Sequence, residues 1–200
     1  DWSSDVCSSD LALGEIEDRR AVPALADALR DDDADVRSRA ADALGNLEDA
    51  SVAPALADAL ERERDPRVRI ELVETLGDLE DRSMATRLVP MLRDPDPEFR
   101  KAVVHALGHM RDPRTLDGIS GVLRDSDPEV RAEAAEALGS MRDRRVVPQL
   151  TSALGDAERP DRLQEGERLD GADGAADLGD DDVVVVRGRL MAALISSVMC

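Results

Sequence analysis

The chain has 200 residues, is 42% hydrophobic but only 1% aromatic, and carries a formal charge of −19. That length suffices for one cored domain of ordinary size, and a core of Ala, Leu and Val in place of rings suits closely spaced helices. The charge repels phosphate backbones and anionic headgroups, which excludes nucleic acid and membrane surfaces as default partners.

In chain order, the opening DWSSDVCSSDL has no apolar period and matches nothing downstream, although it holds Trp2 and Cys7. Back-translated, it resembles a sequencing-library adapter read in frame. Residues 1–11 are therefore set apart as non-native, and the rest is expected to be a fragment of a longer protein. With Cys7 set aside, Cys200 lacks a partner, so no intrachain disulfide is expected and a reducing cytoplasm fits.

From Ala12 a repeat takes over. Gly14, Gly45, Gly77, Gly108 and Gly139 each follow a leucine, at separations of 31, 32, 31 and 31. Asp18, Asp49, Asp81, Asp112 and Asp143 keep the same steps, and so do Val36, Val68, Phe99 and Val130, each followed by an arginine. Three columns in one register specify an array.

Within the unit at 111–141, Asp112 is expected to cap a first helix whose apolar positions are Leu116, Ile119, Val122 and Leu123. Asp127-Pro128 supplies a cap and first-turn proline for a second helix, a device repeated at Asp65-Pro66 and Asp96-Pro97. Gly139 is expected to end that helix as a left-handed residue. Each unit thus reads as two antiparallel helices of about three turns each. A lone pair cannot bury its apolar stripe, so the units must stack into an all-α solenoid with a repeat of about 31 residues.

The pattern DPEVRAEAAEALG, with V-P-x-L in the preceding helix at Val22-Pro23 and Val147-Pro148 and a near match at Ala53-Pro54, resembles the short HEAT repeat of the phycobilin-lyase-like type. The resemblance covers residues 12–154: a partial repeat, four full helix pairs and the first helix of a fifth. It implies an α-solenoid superhelix and leaves function open, because such repeats serve many tasks.

Arg37, Arg69, Arg100 and Arg131 sit one residue past the buried Val or Phe and are expected to reach inter-repeat aspartates or loop carbonyls, forming a structural ladder. Second helices of such arrays usually line the concave face. Three residues past the Val/Phe column stand Arg39, Glu71, Ala102 and Glu133, and six past it Asp42, Glu74, His105 and Glu136. The candidate partner-binding face is Arg39, Asp42, Glu71, Glu74, Lys101, His105, Glu133 and Glu136. Its mostly acidic character suits another protein bearing a basic patch. The alternative is a solvated acidic face with no ligand.

Chemistry finds little support. His105 and His109 have helical spacing, but Gly108 is expected to end the helix between them and no third ligand is evident, so no metal and no cofactor are expected. Deoxyhypusine hydroxylase, a HEAT-type enzyme, uses His-Glu pairs as iron ligands; the matching positions Ser38-Arg39, Ile70-Glu71, Lys101-Ala102 and Ala132-Glu133 lack histidine. Nothing marks a tetrapyrrole pocket, and HEAT-like DNA glycosylases need the opposite charge. Catalytic residues are expected to be absent.

After Leu154 the register fails. Residues 155–182 read as a degenerate repeat running into a flexible acidic linker, and 183–200 as an apolar tail broken by Arg187 and Arg189. The tail has three readings: a cap on the last repeat, a peripheral anchor, or a frame error. Lys101 is the sole lysine among 26 Lys and Arg, and this acidic, lysine-poor composition resembles proteins of salt-accumulating archaea. The expected function is a cytoplasmic, non-enzymatic scaffold for protein binding, with unassigned oligomeric state; the alternative is an accessory subunit of a bilin-type cofactor lyase or other modifying enzyme.

Overall fold

The computed structural model describes residues 19–157 together with 188, 189, 191 and 192. Expectations for residues 1–11, for the start of the array at 12–18, for most of the degenerate repeat and acidic linker at 155–182 and for most of the tail at 183–200 lie outside these. The described residues are helical, without strands, and fall into two compact units that divide between Arg111 and Asp112.

The first unit holds α1 (Val22–Ala28), α2 (Ala34–Gly45), α3 (Ala53–Arg62), α4 (Pro66–Asp78), α5 (Ala85–Leu88, continued by a 3-10 turn over Val89–Arg93) and α6 (Pro97–Met110). The second holds α7 (Leu116–Val122), α8 (Pro128–Ser140) and α9 (Val147–Ala157). Within the first unit α1 packs on α2, α3 on α4 and α5 on α6, while α2, α4 and α6 stack in succession. In the second, α7 packs on α8. This is the sequential piling of hairpins that defines an α-solenoid.

The second helices begin as the sequence dictates. The carboxylates of Asp33, Asp65, Asp96 and Asp127 accept from amides two residues on, at 2.8–3.0 Å, and three of the four are followed by proline. Two of the first helices run about three turns, α3 with 10 residues and α9 with 11, and three are shorter: α1 and α7 have 7 residues and α5 has 4. Asp49, Asp112 and Asp143 cap a 3-10 turn rather than the α-helix itself, so the helix proper starts three residues later.

The glycine column is corrected. None of the described glycines has positive φ; the left-handed residues are Glu48, Glu80, Arg111 and Arg142, each three positions past a glycine. Gly45, the last residue of α2, and Gly77, inside α4, stand where the next second helix approaches closely. A Cβ at Gly77 would stand 2.8 Å from the Cα of Ala106, and one at Gly45 would stand 2.7 Å from Cγ2 of Thr75. The small residue serves interhelical approach, not chain reversal. Gly108 likewise does not end its helix, which runs on to Met110.

Leu25, Leu44, Leu56, Leu72, Leu76, Phe99 and Leu107 form the floor of the first unit, and Ile119, Leu138 and Leu150 that of the second, all essentially inaccessible to solvent. Each such side chain contributes about 1.5–3 kcal/mol by leaving water. Among the described residues no helix is long and apolar enough to cross a membrane.

Candidate functional site

The arginine column lies at the loops that join first to second helices. Arg37 donates from Nη1 to the carbonyls of Asp31 (2.8 Å) and Asp32 (3.0 Å), closing the end of its own hairpin loop. Its Nε and Nη2 meet both oxygens of Glu63, one repeat on, at 2.6 and 2.9 Å. The bond from Arg37 holds the Glu63 carboxyl down at about 2, against the cost of burial and with help from the amides of Asp65 and Arg64.

Arg69 repeats the step to Asp94 at 2.6 Å, its guanidinium stacked 3.7 Å over the Phe99 ring. Burial raises the Asp94 carboxyl, but the Arg69 bond and the Asp96 amide outweigh it and the net displacement is downward. Arg100 and Arg131 each donate to the two loop carbonyls five and six residues earlier, at 2.8–3.2 Å.

The acidic partners of this column carry a signal that the sequence reading passed over. Asp31, Glu63, Asp94 and Asp125 each stand two residues before a capping aspartate and accept its amide at 2.8–3.0 Å. An acid-x-Asp pattern at the repeat period marks them. The groove between the ends of α1 and α3, about 530 Å³, is lined in part by the Arg37–Glu63 pair, whose two charges are matched to each other.

The exposed side of the second helices is different. Arg39 and Asp42 on α2 and Glu74 on α4 are exposed, and Glu71 is half-buried. Burial pushes the Glu71 carboxyl up, and so do Asp42, Glu74 and Asp78; every neighbour that shifts it is another carboxylate. Asp78, one residue past the glycine, was not among the expected face residues. Its repulsion of Glu71, alongside that of Asp42 and Glu74, identifies it.

On α6, Lys101 pairs with Glu98 at 2.8 Å, one turn earlier. His105 is exposed, and because the helix continues through Gly108 its ring lies 4.4 Å from that of His109, whose Nδ1 is 4.0 Å from Asp78. Ala102 is corrected: it is only 7% exposed and belongs to the core, since α6 packs that turn inward. In the second unit, Glu133 and Glu136 share one side of α8, where Arg189 approaches both, at 3.6 and 3.7 Å. Among the described residues no three His, Cys, Asp or Glu side chains are grouped to hold a metal ion.

A HEAT-repeat family profile matches residues 11–77, 53–125 and 85–168, in overlapping copies that follow the hairpins described above. The chain belongs to the HEAT-repeat family. Solved structures similar to this HEAT array include an engineered protein (21% identity, TM-score 0.56, covering 96% of this chain and 90% of that one). Human deoxyhypusine hydroxylase in complex with glycerol is similar at 20% identity and TM-score 0.53, covering 98% and 80% of the two chains. The complex of CpcE and CpcF of phycocyanin lyase from Nostoc matches at 22% identity and TM-score 0.46, covering 96% and 73%. At these identities the likeness is one of fold alone. A search of curated proteins returned no match.

Proposed function

We propose that this HEAT array is a non-enzymatic scaffold whose exposed second-helix face binds another protein through a basic patch. The observation that carries the reading is the contrast between two sets of acids. Loop carboxylates such as Glu63 and Asp94 are matched to arginines and stabilised as anions. Glu71 is half-buried among Asp42, Glu74 and Asp78, and its charge is opposed. A cationic partner relieves that repulsion on binding. A reducing cytoplasm and a salt-rich cell interior belong to the same reading, supported by a content of two cysteines, one of them in the opening set apart as non-native, and by the near absence of lysine.

The test compares two variants of equal charge. One neutralises Glu71, Glu74, Glu133 and Glu136 to glutamine; the other neutralises Asp27, Asp32, Glu48 and Asp117 to their amides, all exposed and off that face. Titration with an arginine-rich octapeptide is expected to weaken at least tenfold for the first and under threefold for the second, in line with the larger weight of clustered charge. Equal weakening would assign binding to the general field of the chain and remove the face from the account.

A further inference from the structure

The geometry points to Glu133 and Glu136 as a seat for one arginine side chain, filled in this chain by its own Arg189, which an arginine-bearing segment of the partner must displace. The inference rests on the proposed reading of the second-helix face as a surface for basic protein. Glu133 and Glu136, three apart on α8, present their carboxylates on one side of the helix. Nη1 of Arg189 stands between them, 3.6 Å from Oε2 of Glu133 and 3.7 Å from Oε2 of Glu136.

The two acids divide the work. The Glu133 side chain is 15% exposed, which places its charge where water screens it less, while that of Glu136 is 63% exposed and leaves the seat open to an incoming group. The contact is also looser than the structural pairs of the same fold. Arg37–Glu63 and Arg69–Asp94 close to 2.6 Å with side chains at most 23% exposed, against 3.6–3.7 Å for Arg189, itself 43% exposed. A pair of that kind holds a place and gives it up readily. Because Arg189 belongs to the same chain, it competes with a ligand in trans without loss of a second molecule's freedom.

The experiment uses the full chain and, as the probe, a fluorescein-labelled peptide VVRGRLMA, the sequence of residues 185–192, read by anisotropy at low salt. Arg189→Gln is expected to bind the peptide about two- to fivefold more tightly than the unaltered chain, the range that one exposed ion pair supports. Adding Glu133→Gln and Glu136→Gln to Arg189→Gln is expected to abolish the gain. Equal affinity for the unaltered chain and Arg189→Gln, with both still dependent on Glu133 and Glu136, overturns the occupancy by Arg189 and leaves the acidic-face reading standing. A gain that survives loss of both glutamates also overturns it. Binding to neither chain overturns the seat, and if the octapeptide test fails as well, the face reading falls with it.

Discussion

Glu63 and Glu71 are the same residue type put to opposite use, and their titrations separate the two roles. The folded-state value of Glu63 lies at about 2, below its ordinary 4.5, so its contribution is complete above pH 4.5 and is lost as pH falls toward 2. Glu63→Gln is expected to cost about 1–3 kcal/mol at pH 7, because Arg37 is left part-buried without its anion, and to flatten the loss of stability between about pH 5 and 2. Urea titrations at pH 7, 4 and 2.5 read both. Glu71 is displaced upward, so its ionised form opposes folding at neutral pH and the penalty disappears once it is protonated. Glu71→Gln is expected to raise stability by a few tenths to about 1 kcal/mol at pH 7 and to leave it unchanged near pH 3. A loss of stability at pH 7 would mean that Glu71 has a structural partner and no reserved charge.

At the scale of the element, the helices are set by periodic caps but spaced by a glycine. The Cβ of alanine at position 77 meets backbone of the neighbouring helix, which has no rotamer by which to yield. Gly77→Ala is expected to cost about 1–3 kcal/mol by overpacking. Gly121 in α7 has nothing within 4 Å of such a Cβ, and Gly121→Ala is expected to gain up to about 1 kcal/mol from helix propensity. Thermal melts of the two variants should move in opposite directions. Matching shifts would remove close interhelical approach as the reason for glycine at position 77. The reversal itself falls on Glu48, Glu80, Arg111 and Arg142, non-glycine residues held left-handed by the hairpin junction.

For the whole molecule the governing quantity is charge. With 45 acidic against 26 basic residues, repulsion among carboxylates opposes folding until ions screen it, and at 1 M salt the screening length is about 3 Å. The helical signal at 222 nm is expected to be full in molar salt and to fall as salt is diluted toward 10 mM, roughly a tenfold lengthening of that range. Undiminished helix at low salt would argue against origin in a salt-accumulating cell. The arginine column works the other way. It crosses from one repeat to the next at Arg37–Glu63 and Arg69–Asp94, so it ties neighbours through pairs too buried for salt to screen fully.

Repeat length, helix pairing, the capping aspartates and the position of the arginines were all legible in the sequence, because each depends on contacts within about one repeat and recurs at a fixed step. The glycines were legible as a column but not as a role: a residue without a side chain reports freedom of φ and closeness of approach alike, and only the position of Thr75 and Ala106 tells them apart. The acidic face was legible as a list of positions. Which acids are matched, at Glu63 and Asp94, and which are opposed, at Glu71, was decided by tertiary structure, since charges interact through distance and burial and neither is written in the order of residues.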